Sequence, residues 1–284
     1  MSLMIALALI SAPTCLAYQR GDGGSPVVQA SVNGREPLFL VLDTAASGST
    51  LDAQTIAALD LPRDSEMETA QGLGGPLDVH IHEIAALDAG PVHLKDLRVA
   101  GSPAPRFASH AIAGLAGIDL FGSALAIWNA VPGCVDLAKS GARAGGADWR
   151  RIAIHWIRPW KIMIPIRIGR VDGWGLLDTG AQYTVLNGNY ARRLGLTPES
   201  GRLRAGGEIW GLDARPIALS RAEVEGVRIG AWTWPRRSLK IGDLPVFDRL
   251  GDPAAPLAII GADWLMDRAF AIDYGTRTVW QKAR

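Results

Sequence analysis

Two aspartates in this chain stand in nearly the same setting. The first closes the run Leu38-Phe39-Leu40-Val41-Leu42-Asp43-Thr44-Ala45-Ala46, the second Trp174-Gly175-Leu176-Leu177-Asp178-Thr179-Gly180-Ala181. Each apolar stretch buries its backbone and delivers a carboxylate at the inner end of a strand. The small residues that follow let the chain turn so that backbone N–H groups face the carboxylate. Thr44 and Thr179 are placed to bond into a neighbouring strand or the opposite half. If the two copies pack about a pseudo-two-fold axis, Asp43 and Asp178 meet on it. Two carboxyls about 3 Å apart cannot both ionise and instead share a proton. A shared proton leaves one carboxyl able to act as a general base and the other as a general acid.

The likeness extends outward from the aspartates. Val27–Gly34 and Met163–Gly169 both read as a strand entering a turn, so each half opens with a hairpin. Beyond each aspartate come Ser49-Thr50-Leu51-Asp52 and Tyr183-Thr184-Val185-Leu186-Asn187, then helical segments Ala53–Leu59 and Gly188–Leu194. Leu59-Asp60-Leu61-Pro62 and Leu194-Gly195-Leu196-Thr197-Pro198 close those helices. Each half then carries a glycine-rich tip within a β-patterned stretch, Gly72-Leu73-Gly74-Gly75 and Gly206-Gly207-Glu208-Ile209-Trp210-Gly211. A strand is expected through Val92–Val99 and another through Val227–Trp232. The halves end alike, on Leu115-Ala116-Gly117-Ile118-Asp119 and Ile259-Ile260-Gly261-Ala262-Asp263. The order implies an all-β chain in which one unit of about 110–120 residues occurs twice in tandem, each copy with a short helix. The lobes are expected at 26–136 and 160–284, joined by a basic Gly/Ala/Arg-rich linker at 137–159 that is exposed to solvent.

Bulk composition narrows the function. At 284 residues, 48% of them hydrophobic and 20% charged, the chain has ample material for a core. Its net charge of +1 points to neither nucleic acid nor an anionic membrane as partner. That balance conceals an asymmetry, with 6 Lys and Arg against 13 Asp and Glu in residues 1–135, and 23 against 15 in residues 136–284. Halves of opposite sign attract across an interface or shape a cleft. Leu3–Ile10 is a short apolar core followed by Pro13 and Cys15-Leu16-Ala17, the order of a secretory signal cleaved after Ala17. Export to the periplasm or beyond is therefore expected, with an uncleaved N-terminal anchor as the alternative. With Cys15 assigned to the leader, Cys134 is expected to remain a lone thiol.

The two signatures, Asp43-Thr44-Ala45-Ala46-Ser47 and Asp178-Thr179-Gly180-Ala181, resemble those of aspartic peptidases. The whole pattern is similar to the retropepsin-like branch: Asp-bearing strand, helical phrase, glycine-rich flap, and an apolar-apolar-Gly strand before a short helix. The resemblance covers residues 26–136 and 160–282. It implies two lobes related by a pseudo-two-fold, a catalytic pair Asp43 and Asp178 supported by Thr44, Ala45, Thr179 and Gly180, and a peptide or unfolded protein as substrate. It also implies two flaps, at Gly72, Gly74 and Gly75 and at Gly206, Gly207 and Trp210, with Trp210 over an apolar substrate side chain or buried as an anchor. No metal or organic cofactor is implied, and one chain completes the site as a monomer.

Two departures stand out. Ala45 occupies a position where the family usually has Gly, and a positive φ there would cost about 1 kcal/mol. Ala46 and Ala181 stand where pepsin-like enzymes often carry Ser or Thr, so each carboxylate lacks a hydroxyl donor. Higher pKa values than pepsin's and a less acidic optimum are expected. The competing readings are an inactive peptide-binding pseudo-protease, a two-carboxylate glycosidase, and a pair of purely structural Asp-Thr turns. His80 and His82 share one strand face without further ligands nearby in sequence. Asp119 and Asp263 are expected to cap or begin short helices. Nine of the ten tryptophans follow residue 148, as core filling for the second half or as lining of its cleft.

Overall fold

The computed structural model describes residues 14–103, 106–129, 131, 133–157, 160–210 and 216–283. The chain is mostly β, with two barrel-like sheets and short helices. The first eight-stranded sheet has the order Gln19–Arg20, Pro26–Val32, Leu38–Leu42, Ile112–Ala116, Thr50–Asp52, Val92–Ser102, Gly75–Ala89 and Arg63–Gly72. The second has the corresponding order His155–Ile157, Lys161–Ile168, Val171–Leu177, Leu257–Ile260, Val185–Leu186, Trp232–Ile241, Pro216–Ile229 and Arg204–Trp210. In both, the second strand also pairs with the seventh and closes the sheet on itself. This common order fulfils the expectation of two all-β lobes related by a pseudo-two-fold.

Each aspartate ends a strand buried on both faces, which explains the unbroken apolar runs. Leu40 and Leu42 face the main core while Val41 packs with Val27 and Ile112 on the other side. In the second lobe Leu177 faces the main core and Leu176 a cluster with Met163, Val185 and Ile259. The parallel neighbour of each strand is the apolar-apolar-Gly segment, Ile112–Ala116 and Leu257–Ile260. Its glycine permits close approach: a Cβ on Gly117 would lie 2.5 Å from the Gly48 carbonyl carbon, and one on Gly261 2.5 Å from that of Tyr183. The helices fall at Ala53–Ala58 and Gly188–Arg193, where Asp52 and Asn187 accept from the amides of Thr55 and Tyr190 at 2.7 and 2.9 Å.

A third sheet joins the lobes. Its order is Thr14–Ala17, Cys134–Ala138, Leu125–Asn129, Phe270–Asp273, Thr278–Lys282 and Trp149–Ile152. Leu125–Asn129 of the first half pairs directly with Phe270–Asp273 of the second. Trp128 is fully buried there and stacks on Phe270 with ring centroids 5.5 Å apart.

Several expectations need correction. Cys134 is not a lone thiol: it is bonded to Cys15, whose strand Thr14–Ala17 is the edge of the inter-lobe sheet. Leu16 in that strand is fully buried. The apolar core of the expected leader lies outside the described residues, and a cut after Ala17 would remove this strand. The linker is not wholly solvated, since its Trp149–Ile152 pairs with Thr278–Lys282. Val227–Trp232 is no single strand. It turns at Gly230, whose φ of +54° suits glycine, so that Ile229 and Trp232 face each other in a hairpin.

Candidate active site

The loops after the two apolar strands meet through their threonines. The Thr44 hydroxyl donates to the Leu177 carbonyl at 2.9 Å, and the Thr179 hydroxyl donates to the Leu42 carbonyl at 2.7 Å. Each hydroxyl also accepts from the other threonine's backbone N–H, both at 3.1 Å. Both residues are fully buried. Each lobe thus satisfies polar backbone groups of the other where water cannot, and losing either hydroxyl would leave such groups unpaired at about 1–3 kcal/mol apiece.

This reciprocal clasp brings the two Asp-Thr loops together, close enough that the charge of Asp43 acts on Asp178. The Asp43 N–H donates to the Ala116 carbonyl at 2.9 Å and the Asp178 N–H to that of Ile260 at 3.1 Å. Asp43 Oδ1 accepts from the amides of Ala45 and Ala46 at 2.7 and 3.0 Å. Asp178 Oδ1 accepts from the amide of Ala181 at 2.9 Å.

The surroundings hold the carboxyls toward their neutral form. Burial raises Asp43, against the lowering effects of the Lys161 ammonium and the Ala45 and Ala46 amides. Burial, and then the negative charge of Asp43, push Asp178 up to about 7. The oxygens that accept from the loops take backbone N–H groups, as the alanines at 46 and 181 require.

The two small residues after the aspartates are not interchangeable. A Cβ on Gly180 would lie 2.5 Å from both Cγ and Oδ2 of Asp43, so the glycine is required by space. Ala45 is not in the left-handed region, and its methyl packs into the apolar cluster that contains Met163 and Leu176. The anticipated strain at Ala45 is therefore absent.

Asp119 and Asp263 buttress the loops from behind, and neither side chain caps its short helix. Asp119 accepts from the Ser49 amide and hydroxyl, both at 2.8 Å, and Ser49 Oγ accepts from the Gly117 N–H at 3.1 Å. In the second lobe the Thr184 hydroxyl donates to Asp263 at 2.8 Å and accepts from the Gly261 N–H at 3.1 Å. Burial raises Asp263 to about 6, against the lowering bond from Thr184. Protonation therefore favours the folded state, and this contribution is full below the ordinary carboxylate range and lost as pH rises through about 6. The expected result is that Asp263→Asn flattens part of the fall in melting temperature between about pH 4 and 7. Parallel wild-type and variant curves would contradict it.

Both expected flap segments touch the opposite lobe. The first turns at Leu73-Gly74, with Gly72 and Gly75 paired at its base and Gly75 at φ +117°. Leu73 packs against the second lobe's apolar cluster, and its carbonyl accepts from the Val246 amide at 3.4 Å. The second flap differs from expectation. Gly206 and Gly207 lie within its strand, at a bulge between Ala205 and Glu208, rather than at the tip. Trp210 pairs with Pro216, and Gly211 lies outside the described residues. Trp210 is no buried anchor: it is 37% exposed, with the Arg106 guanidinium of the first lobe 4.7 Å above its ring.

His80 contacts Arg63 at 2.7 Å, a cationic neighbour unsuited to a metal site. Sequence reasoning missed Lys161, Arg106 and Val246. Of these only Lys161 left a signal, as a charge opening an otherwise apolar strand. Three of the nine late tryptophans, Trp232, Trp234 and Trp264, are buried in the core.

Two closed β lobes, clasped at paired Asp-Thr loops beneath two hairpins, define an acid-protease type of fold. The aspartyl protease family model matches the chain twice, over residues 28–120 and 164–264, and the chain belongs to this family. No curated protein matches it. No helix among the described residues is long and apolar enough to cross a membrane.

Proposed function

We propose that this chain is a single-chain aspartic endopeptidase in which Asp43 and Asp178 activate water. The observation that supports this reading is the threonine clasp, in which the hydroxyls of Thr44 and Thr179 tie the two Asp-Thr loops together across the lobes. With one proton shared, Asp178 is the acid and Asp43 the carboxylate that holds the water. Asp43 takes a proton from the water as its oxygen attacks the peptide carbonyl, and Asp178 gives its proton to the carbonyl oxygen. Collapse of the tetrahedral intermediate returns that proton to Asp178, while Asp43 protonates the departing amine. The carboxyls regain their starting state, and neither metal nor cofactor enters the cycle.

The substrate is an extended peptide segment of an unfolded protein, admitted when the flaps lift. Both carboxyls come from one chain, so a monomer suffices. The Cys15–Cys134 bond favours an oxidising compartment, and hence export. A second reading, a pseudo-protease that binds peptides without cutting them, is favoured by the seating of Leu73 on the opposite lobe. The test is a cleavage screen on unfolded proteins across acid to neutral pH, with and without a statine-type transition-state mimic. Inhibitable cleavage is expected; tight binding of the mimic without cleavage would select the second reading.

A further inference from the structure

Lys161 has no part in the pattern that the two halves share. It begins the strand Lys161–Ile168 of the second lobe, and its Nζ donates to the carbonyl of Ala45 in the first. The register shows what the first lobe has in its place. Val27 pairs with Val41 and Met163 with Leu176, which makes Ser25 the counterpart of Lys161 when Asp43 is set against Asp178. Ser25 is fully buried, and its hydroxyl has no hydrogen-bond partner among the described residues. One side of the pseudo-two-fold thus presents an ammonium and the other a neutral hydroxyl. A chemically symmetric pair of carboxyls lies in an asymmetric field.

We propose that Lys161 is a positioning residue for the dyad: anchored on the Ala45 carbonyl, it keeps a positive charge beside Asp43 and makes Asp43 the carboxylate and Asp178 the proton carrier. The contact is two residues from Asp43, on the loop whose amides already bond that carboxyl. The lowering effect of the ammonium ranks higher among the influences on Asp43 than among those on Asp178. Among the described residues, the other titratable groups around it are few. Asp43 and Asp178 come from the loops. Tyr274 is a buried phenol at the end of the inter-lobe strand, raised by burial and by the charge of Asp43. His155, on the edge strand beside Lys161–Ile168, stacks on Trp174 at 3.9 Å instead. The Lys161 ammonium lowers both carboxyls.

This inference rests on the peptidase reading for its meaning, and its test does not need turnover. Carboxyl carbons of 13C-labelled aspartate are followed by NMR through a pH titration in wild type, Lys161→Met, Lys161→Gln and Lys161→Arg. Asp43→Asn and Asp178→Asn serve to assign the signals. Removal of the charge is expected to move the first ionisation of the pair upward by about one pH unit, tenfold in proton affinity. It also makes the two carboxyls more alike, and Lys161→Arg restores the wild-type curve. A titration unchanged in whichever of Lys161→Met and Lys161→Gln folds would overturn the proposal. A shifted titration in a protein that cleaves nothing would leave it standing and sink the peptidase reading alone. If peptides are cleaved, the pH–rate profile moves in the same direction.

Discussion

Asp43→Asn and Asp178→Asn are each expected to lower kcat/KM for peptide cleavage by at least about 10³-fold, since each removes one half of the acid–base pair. Folding should survive. The loops are held by the threonine hydroxyls and by the backbone bonds of Asp43 and Asp178 to Ala116 and Ile260, none of which needs the carboxyl. The stability effect carries its own sign. Both carboxyls are raised in the folded state, so their ionisation opposes folding. Asp178→Asn therefore melts at or above the wild-type temperature once pH exceeds about 7, and gains nothing in acid. An inactive variant that also melts well below wild type at neutral pH would show the carboxyl to be structural. Undiminished cleavage by either variant would remove the dyad from the mechanism.

The second large effect separates two positions that look equivalent in sequence. Gly180→Ala places a methyl 2.5 Å from the Asp43 carboxyl, a distance that forces Asp43 or the whole loop to move. The cost of such overpacking is about 1–3 kcal/mol in stability. Because the displaced group is the proposed base, activity is expected to fall by about 10²-fold or more, the scale of a 1 Å misplacement. Ala45→Gly has no such consequence. It removes a methyl from an apolar cluster and loosens the unfolded chain, at a cost of about 1 kcal/mol, with activity nearly retained. Urea unfolding and kcat/KM measured on both variants decide the matter. Equal effects at the two positions would mean that the lobes are interchangeable about the axis, against the clash seen on one side only.

The contrast at these positions shows what the sequence carried and what it did not. Apolar runs ending in Asp-Thr, with matching glycine phrases downstream, were enough to locate both strands and both helices. Those signals are local, because burial on both faces and tight turns write themselves into adjacent residues. The inter-lobe sheet was invisible for the opposite reason. Its strands, such as Thr14–Ala17 and Trp149–Ile152, are short and draw their partners from more than 100 residues away. An apolar strand and an apolar leader share one composition, so Leu16 read equally as either. Gly206-Gly207 misled similarly, since a bulge and a hairpin tip both call for glycine. Lys161 was readable only as an oddity, because its meaning depends on Ala45 in the other lobe.

The sheet that joins the lobes also bears on how the molecule comes into being. Leu125–Asn129 waits for Phe270–Asp273, and the outer strand Trp149–Ile152 waits for Thr278–Lys282, the last strand of the chain. Pairings over such separations are slow to form, because loop-closure entropy must be overcome before any contact rewards it. During synthesis both aspartates emerge well before the strands that complete this sheet. A growing chain therefore carries both proposed catalytic aspartates before it has the frame that fixes its two lobes together. On the proposed function, this delay is a temporal safeguard against attack on unfolded polypeptide, the chain's own included.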